Sequence, residues 1–165
     1  MNRFKPCEEY LEELGREKGL KWTVLRGGCF MENLAQGLNS IKTGSDTFVF
    51  ARTETPMVAT VDIGRSGAAC LAASDFNVHH GKFYEMSGPD YLTGDVIAKA
   101  ISKKLNREVK YSELPKAAFA KMPEAVSQVF EYIGEFGRDA APKTDDVFQL
   151  TGRVTTIDDF LATQI

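Results

Sequence analysis

The first 25 residues carry the pattern of a helix that ends at a glycine and continues directly into a strand. From Cys7 to Lys18, apolar side chains recur at every third or fourth position, and charged side chains fill the other faces. Pro6 suits the first turn of this helix, and Gly19 suits its carboxyl-terminal cap. The run from Leu20 to Leu25 is β-rich and is bounded by glycines, which predicts a strand. Helix, glycine and strand in this order form the second half of a β-α-β unit and favour an α/β fold.

Helix and strand signals alternate along the remainder of the chain. Strands are predicted at Thr47 to Ala51, Met57 to Val61, Lys82 to Met86 and Val109 to Tyr111, and helices at Phe30 to Ile41, Ile63 to Ala73, Thr93 to Leu105, Lys116 to Lys121, Glu124 to Phe136 and after Thr156. Asp62, Thr93 and Thr156 each precede a helical pattern and are predicted to be amino-terminal caps. Because the chain has no internal repeat and no interdomain linker, residues 1–165 are predicted to form a single domain.

The charge balance and the cysteine content exclude several functional classes. With 20 Lys and Arg against 23 Asp and Glu, the chain has no basic excess to bind a phosphate backbone, so no nucleic acid is expected as a partner. The apolar stretches fall far short of the roughly 20 residues that span a membrane, and the amino terminus lacks the apolar region of a signal peptide. The three widely spaced cysteines form no CxxC pair, which argues against a disulfide framework or a zinc site. We therefore expect a soluble, cytoplasmic protein with no metal and no membrane partner.

The common motifs of cofactor binding and catalysis are missing from the 165 residues. The sequence has no GxGxxG turn, no Walker A lysine, no HExxH and no GxSxG. His79 and His80 are adjacent, but no cysteine or carboxylate stands at a metal-ligand spacing from them, which favours a surface loop. Tyr10 and Tyr84 do not belong to a YxxxK motif. The sequence therefore assigns no catalytic residue.

One ten-residue segment carries a family resemblance. The residues from Leu25 to Leu34, LRGGCFMENL, resemble the LRPxxFMENL segment of NmrA-like proteins, a branch of the atypical short-chain dehydrogenases/reductases. Further matches follow in the family's order along nearly the whole chain, at Glu8 to Leu11, Gly19 to Thr23, Asp62 to Arg65, Gly81 to Tyr84, Ser87 to Pro89, Leu92 to Thr93 and Leu150 to Arg153. Gly27 departs from the pattern, since the family usually has proline at this place.

The resemblance implies a fold and a cofactor. The implied fold is a partial Rossmann-like parallel sheet together with the small substrate-side α/β subdomain of NmrA-like proteins, and the implied cofactor is NADP or NAD. Family members hold the dinucleotide in a glycine-rich amino-terminal half, and this sequence begins where that half should be ending. We therefore expect a single NmrA-like domain that lacks the dinucleotide-binding half and does not bind the cofactor tightly by itself.

Six residues around the glycine turn form the candidate cofactor or substrate pocket: Arg26, Gly27, Gly28, Cys29, Phe30 and Asn33. They follow a predicted parallel strand, and ligands of α/β folds bind beyond the carboxyl ends of such strands. In the family, this turn resembles the nicotinamide-side wall of the pocket, which Phe30 and Asn33 face. A purely structural interpretation stays open, in which the two glycines form a tight turn and Asn33 is a polar helix residue.

Two functions remain open at this point. The chain is either an NmrA-like relative of NAD(P)-linked oxidoreductases and redox sensors, supplying the substrate-side cleft wall for a small molecule, or a non-catalytic module that binds another chain. Whether the chain alone turns over a substrate is left open. Loss of the neighbouring strands would leave the strand at Leu20 to Leu25 unpaired and would uncover Leu11, Leu14, Trp22 and Val24. This exposure predicts a homo-oligomer or a complex with a partner chain.

Overall fold

The computed structural model describes residues 4–165, which form a mixed α/β fold. The α-helices are α1 (Lys5–Lys18), α2 (Ala35–Lys42), α3 (Thr60–Ala72), α4 (Gly94–Leu105), α5 (Lys116–Phe119), α6 (Glu124–Phe136), α7 (Asp146–Thr151) and α8 (Ile157–Gln164). The strands are β1 (Thr23–Gly27), β2 (Thr47–Phe50), β3 (Glu54–Thr55), β4 (Lys82–Met86), β5 (Leu92–Thr93) and β6 (Lys110–Glu113). Short 3₁₀ helices cover Met31–Leu34, Phe76–Val78 and Gly137–Ala140. The α/β fold class is confirmed.

The strands pair two by two. β1 lies parallel to β4, with Thr23 opposite Lys82 and Gly27 opposite Met86. β2 lies parallel to β6, while β3 and β5 form a short antiparallel pair. Parallel neighbours require a long crossover connection, and here each parallel pair is linked through intervening helices. Two parallel pairs with helical crossovers are the expected elements of a Rossmann-like sheet.

Helices cover both faces of the β1–β4 pair. On one face α1 is fastened by the bond between Glu8 and Arg26, and the missing Cβ of Gly15 lets the Trp22 ring approach closely. On the opposite face, Leu25 packs on a small buried cluster whose members come from the β3–α3 connection, from β4 and from α7: Val58, Met86 and Val147. Leu11, Leu14, Trp22 and Val24, which were expected to be uncovered, are half-buried.

The larger core lies around β2 and β6 rather than around β1. Phe48 on β2 is fully buried, and its ring stacks on that of Phe50 at a centroid distance of 5.9 Å. The helices α2, α4, α6 and α8 close this core with Leu38, Ile41, Ile97, Ile101, Ile133, Phe160 and Leu161. The β1–β4 pair is therefore attached to the side of a better-packed unit.

Two of the three predicted helix caps are confirmed. Thr93 accepts a hydrogen bond from the backbone N–H of Val96 at the start of α4. Thr156 and Asp159 form a capping box at the start of α8. The prediction that Asp62 caps a helix is wrong, because α3 already begins at Thr60.

Asp62 instead ties α3 to the carboxyl-terminal part of the chain. Its carboxylate is fully buried and accepts hydrogen bonds from the backbone N–H and the hydroxyl of Thr155, at 2.7 and 2.9 Å. Arg65, one turn further along α3, donates to the same carboxylate at 2.8 Å. These three hydrogen bonds compensate for the burial of the carboxylate, so Asp62 has a structural role.

Several other predicted elements have wrong bounds, among them the first strand and the strand from Met57 to Val61. The first strand covers Thr23–Gly27 rather than Leu20 to Leu25, because Gly27 continues the ladder opposite Met86. The predicted strand from Met57 to Val61 is reduced to one bridge, in which Val58 pairs with Phe30.

The edge of β4 that faces away from β1 is closed by residues 144–146. The backbone N–H of Glu85 donates to a carboxylate oxygen of Asp146, and its carbonyl accepts from the hydroxyl of Thr144, both at 2.7 Å. Ser87 adds two bonds to the backbone of Thr144. We call residues 144–146 the β4 strap.

No helix in the described part of the chain is long and apolar enough to cross a lipid bilayer.

Candidate functional site

A groove of about 680 Å³ opens along β1 towards the carboxyl ends of β1 and β4. One wall is formed by Phe4 and by three residues of α1, Cys7, Glu8 and Leu11. The remaining lining residues are Val24, Leu25, Arg26, Gly27, Gly28, Phe30, Pro56, Glu85, Met86, Ser87, Ala140, Ala141 and Pro142. We call this cavity the β1 groove. Its size is in the range of small-molecule sites.

The structure brings four of the six candidate residues to the β1 groove. Arg26, Gly27, Gly28 and Phe30 all line it. Cys29 is buried and points into the main core, and Asn33 lines a different cavity. The six residues therefore do not share one pocket.

The backbone of the turn explains this division. Phe30 and Val58 form a parallel bridge, in which Val58 N–H donates to the Cys29 carbonyl at 2.9 Å and Met31 N–H donates to the Val58 carbonyl at 3.0 Å. Residues of an extended segment alternate in direction, so Cys29 turns inward while Phe30 turns towards the β1 groove. The turn is thus fixed by backbone bonds to the segment before α3.

Arg26 is the centre of a charge cluster in the β1 groove. Its guanidinium binds both carboxylate oxygens of Glu8 at 2.9 Å and one oxygen of Glu85 at 2.8 Å, and it lies 4.2 Å from the centre of the Phe83 ring. These two carboxylates raise the pKa of Arg26 further above its ordinary value. The guanidinium is therefore permanently charged and already paired, and the cluster carries one more negative than positive charge.

Cys29 is protected from reaction by its surroundings. Burial raises the pKa of its thiol above the ordinary value, while hydrogen bonds, including one from the Asn33 side chain, act in the opposite direction. The Asn33 amide nitrogen lies 3.7 Å from the sulfur. A buried thiol of this kind is a packing residue, in agreement with its place in the core.

The second cavity has a volume of about 360 Å³ and lies between α2 and α6. Its lining combines three polar residues, Asn33, Gln36 and Ser40, with six apolar ones, Val49, Phe50, Leu114, Met122, Val126 and Phe130. We call it the Asn33 cavity. A lining that combines polar and aromatic side chains suits a small molecule with both apolar surface and hydrogen-bonding groups.

The adjacent histidines lie away from both cavities. His79 shares a hydrogen bond of 2.8 Å with the Tyr84 hydroxyl, and His80 accepts a bond from the backbone N–H of Trp22 at 3.3 Å. Burial, with smaller contributions from Cys70 and Asp146, raises the pKa of Tyr84 above its ordinary value. No group of three or more His, Cys, Asp or Glu in residues 4–165 is arranged to hold a metal ion.

Several lining residues of the β1 groove were missed at the sequence level. Glu8 binds Arg26, which lies 18 positions later in the sequence. Ala140 to Pro142 reach the groove from a loop that follows α6. No local sequence pattern predicts either contact. Glu85 had a usable signal, because it stands directly opposite Arg26 once β1 and β4 are paired in parallel. Opposite charges on facing strand positions are a stabilising cross-strand pair.

Comparisons with known proteins place this geometry in context. The chain is 30% identical over 149 residues to the (4-alkanoyl-5-oxo-2,5-dihydrofuran-3-yl)methyl phosphate reductase of Streptomyces griseus, covering 86% of this chain and 52% of that protein. The triphenylmethane reductase of Citrobacter sp., solved with NADP(H), matches with a TM-score of 0.74 at 17% identity, covering 93% of this chain and 56% of that one. The NADPH-dependent quinone oxidoreductase of Escherichia coli, solved with NADPH, matches with a TM-score of 0.71 at 21% identity, with coverages of 92% and 56%. The chain thus spans about half the length of the relatives it matches.

The fold of this chain is therefore similar to that of two reductases that were solved with NADP(H) or NADPH. The family follows from the sequence match, since the family model described as "NmrA-like family" covers residues 5–161. The chain belongs to the NmrA-like family.

Proposed function

We propose that this chain forms the substrate-side wall of an NAD(P)H-dependent reductase cleft, in which the carboxyl end of the β1 groove holds the nicotinamide end of the cofactor. The observation that carries the proposal is the position of Gly27, the last residue of β1, and Gly28, directly after it, both of which line the groove. Ligands of α/β folds bind at this end of parallel strands. The family and the reductase names of its relatives agree with this proposal.

The β1 groove suits the nicotinamide ring of a dinucleotide but not its diphosphate. Its carboxyl end combines glycine backbone with the Phe30 ring, Pro56 and Met86, which suits the flat, uncharged ring of a reduced nicotinamide. Its charged side chains carry surplus negative charge, and Arg26 is already paired with Glu8 and Glu85. A diphosphate would therefore be repelled here. When bound, the cofactor supplies the hydride for a reduction.

The residues of the groove are suited to binding and orientation. Arg26 holds its proton in every accessible pH range, and Gly27, Gly28 and Phe30 carry no titratable side chain. The chain's own contribution is thus to position a ring and to exclude water with Phe30 and Met86.

The proposal is tested by nuclear magnetic resonance on the ¹⁵N-labelled 165-residue chain. Reduced nicotinamide riboside, which carries no phosphate, should shift the amide signals of Gly27, Gly28 and Phe30. ADP-ribose, which carries the diphosphate without the nicotinamide, should leave them unchanged. The proposal is overturned if the riboside has no effect on these signals at about 5 mM, a concentration that detects even millimolar affinity, or if ADP-ribose moves the same three.

A matched pair of variants separates binding from folding. At Gly28, an added Cβ would lie 3.6 Å from the Met86 carbonyl, an ordinary contact, so Gly28→Ala should fold while narrowing the groove. At Gly64 on α3, an added Cβ would meet open space, which makes Gly64→Ala the control. We expect roughly tenfold weaker riboside binding for Gly28→Ala and no change for Gly64→Ala.

A further inference from the structure

The second parallel pair, β2 and β6, also has a cavity at its carboxyl end. The Asn33 cavity is lined by Phe50, the last residue of β2, by Ala51, directly after it, and by Leu114, directly after β6. Because the two strands are parallel, these residues mark the end at which ligands of α/β folds bind. Among the described residues, none lines both this cavity and the β1 groove. The Asn33 cavity is therefore a separate candidate site.

The elements around the Asn33 cavity are held together by close contacts. The Phe50 carbonyl accepts hydrogen bonds from the Leu114 N–H at 2.9 Å and from the Tyr111 hydroxyl at 3.2 Å. α2 lies directly against β2 because Gly37 has no side chain, and an added Cβ would lie 2.5 Å from the Phe48 ring. The cavity thus belongs to the better-packed unit around β2 and β6, and its walls are formed before a ligand binds.

The polar residues of the lining come from consecutive helical turns. Asn33, Gln36 and Ser40 are spaced three and four positions apart, which places their side chains on one face of a helix. The Asn33 amide nitrogen lies 3.7 Å from the sulfur of Cys29. Within residues 4–165, the side chains of Gln36 and Ser40 have no hydrogen-bond partner, and both are exposed. An amide and a hydroxyl are therefore available to a ligand.

The remainder of the lining is largely apolar and includes two aromatic rings. Phe50 and Phe130 meet edge to face, with their ring centroids 5.8 Å apart, and Met122 and Val126 add aliphatic surface. Aromatic side chains favour stacked or edge-to-face contacts with a further ring. A protein cavity of about 150 Å³ is large enough for benzene. The volume of about 360 Å³ therefore has room for a substituted aromatic ring.

The charge of the lining narrows the choice of ligand. None of the described residues that line the Asn33 cavity has a charged side chain, whereas the β1 groove contains Glu8, Arg26 and Glu85. An ion that entered the Asn33 cavity would lose hydration without gaining an opposite charge. The lining therefore favours an uncharged molecule over a carboxylate or an amine.

We propose that the Asn33 cavity binds an uncharged aromatic compound that carries a carbonyl or amide group. The ring would lie against Phe50 and Phe130, and the carbonyl oxygen would accept hydrogen bonds from the Gln36 amide and the Ser40 hydroxyl. Carbonyl and amide groups accept such bonds without carrying a charge at neutral pH. This proposal goes beyond the nicotinamide proposal and does not rest on it, since the two sites have different lining residues.

The experiment is nuclear magnetic resonance on the ¹⁵N-labelled 165-residue chain with benzamide, acetophenone and benzoate. The three compounds have nearly the same shape, but benzoate is charged. Benzamide and acetophenone should shift the amide signals of Gly37, Ser40 and Ala51. Benzoate should bind at least about tenfold more weakly, because its charge would have to be desolvated. The signals of Gly27 and Gly28, which line the β1 groove, should stay unchanged.

Two matched pairs of variants test the role of Gln36. Asn39 is the control position, because it is exposed on the same helix and does not line the cavity. Gln36→Ala should weaken benzamide binding about threefold to tenfold, the effect of one hydrogen bond, and Asn39→Ala should leave it unchanged. Gln36→Lys should strengthen benzoate binding about threefold to fivefold, the effect of one exposed ion pair, and Asn39→Lys should not.

Four results would overturn the proposal. The first is the absence of any shift at Gly37, Ser40 and Ala51 at about 5 mM benzamide, which would exclude even millimolar binding. The second is equal binding of benzamide and benzoate, and the third is an equal effect of the substitutions at Gln36 and Asn39. The fourth is a set of shifts confined to the signals of the β1 groove. The riboside test uses those groove signals instead, so either proposal can fail alone.

Discussion

The carboxylate of Glu32 lies at the amino end of α3 and accepts hydrogen bonds from both the hydroxyl and the backbone N–H of Thr60, at 2.6 and 3.0 Å. The N-cap residue of α3, Ala59, has no side chain that could cap the helix. Glu32, 28 positions before Thr60, provides the cap instead. A negative charge at a helix amino end is also favoured by the helix dipole. The contact fixes the turn after β1 relative to α3.

Replacement of Glu32 should therefore destabilise the chain although the residue is exposed. We expect Glu32→Ala to lower the free energy of unfolding by about 1 kcal/mol, the usual cost of a lost helix cap, and Glu32→Gln to lower it by less. Urea unfolding measures both. Glu12→Ala on the exposed face of α1 is the control and should change stability by less than about 0.5 kcal/mol. Equal effects at Glu12 and Glu32 would contradict the capping role.

Gly88 should tolerate no side chain. Its N–H donates to the Pro56 carbonyl at 2.9 Å, and an added Cβ would lie 2.0 Å from the Met57 carbonyl oxygen, a backbone atom that cannot move aside. Gly88→Ala should lower the free energy of unfolding by roughly 3 kcal/mol. Gly64→Ala, in open space on α3, should instead raise it by about 0.5–1 kcal/mol. Thermal unfolding of the two variants should show opposite shifts.

Stability should fall at alkaline pH through Tyr111. Burial is the main cause that raises the pKa of Tyr111 to about 12, and its hydroxyl donates to the Phe50 carbonyl at 3.2 Å. A raised pKa means that the folded state holds the proton more firmly than the unfolded state. The contribution is therefore complete below pH ~10 and is lost as the pH rises towards 12.

The Tyr111→Phe variant checks this assignment. Because the ring is half-buried and solvent screens its charge, we expect Tyr111 to account for up to about 1 kcal/mol of the alkaline loss. Urea unfolding of the variant between pH 9 and 11 should give a shallower decline than that of the wild type. Parallel declines would assign the loss to other groups.

Asn33 and Phe30 should respond differently to truncation. Phe30 is half-buried and packs on the Val58–Met86–Val147 cluster, so Phe30→Ala should cost about 1–3 kcal/mol of stability together with any ligand binding in the β1 groove. Asn33 is exposed at the Asn33 cavity, so Asn33→Ala should cost less than about 0.5 kcal/mol. Calorimetric melting of both variants provides the comparison. A large loss for Asn33→Ala would make it a folding residue.

The isolated 165-residue chain should bind NADPH weakly. The sequence has no GxGxxG turn to direct backbone donors at the diphosphate, and the β1 groove carries surplus negative charge. Titration calorimetry should give a dissociation constant above about 100 µM. Micromolar affinity would mean that another part of the chain binds the diphosphate.

Elements with a complete local signal were predictable from the sequence. The strand Lys82–Met86 and the helix Glu124–Phe136 have their predicted bounds, and Thr93 caps α4 as expected. The failures are residues whose partners lie far along the chain. Asp62 has the local pattern of a cap, but it is bound by Thr155, 93 positions away.

The position of the glycine turn was predictable from the sequence, whereas the directions of its side chains were not. The glycine turn does lie at the carboxyl end of a parallel strand, and Arg26, Gly27, Gly28 and Phe30 line one groove. Cys29 turns into the core because the bridge to Val58 fixes the directions of Cys29 and Phe30, and Asn33 lies in the 3₁₀ helix that follows and lines the Asn33 cavity. That bridge joins two residues that are 28 positions apart, so no local sequence pattern predicts it.

The β4 strap also limits how far this sheet can polymerise. Fibre growth by strand stacking requires each molecule to offer two free edges, one to receive a neighbour and one to pass the ladder on. Residues 144–146 occupy one edge of the β1–β4 pair with bonds to Glu85 and Ser87. A stack of strands that reaches the β4 edge of this pair therefore ends there.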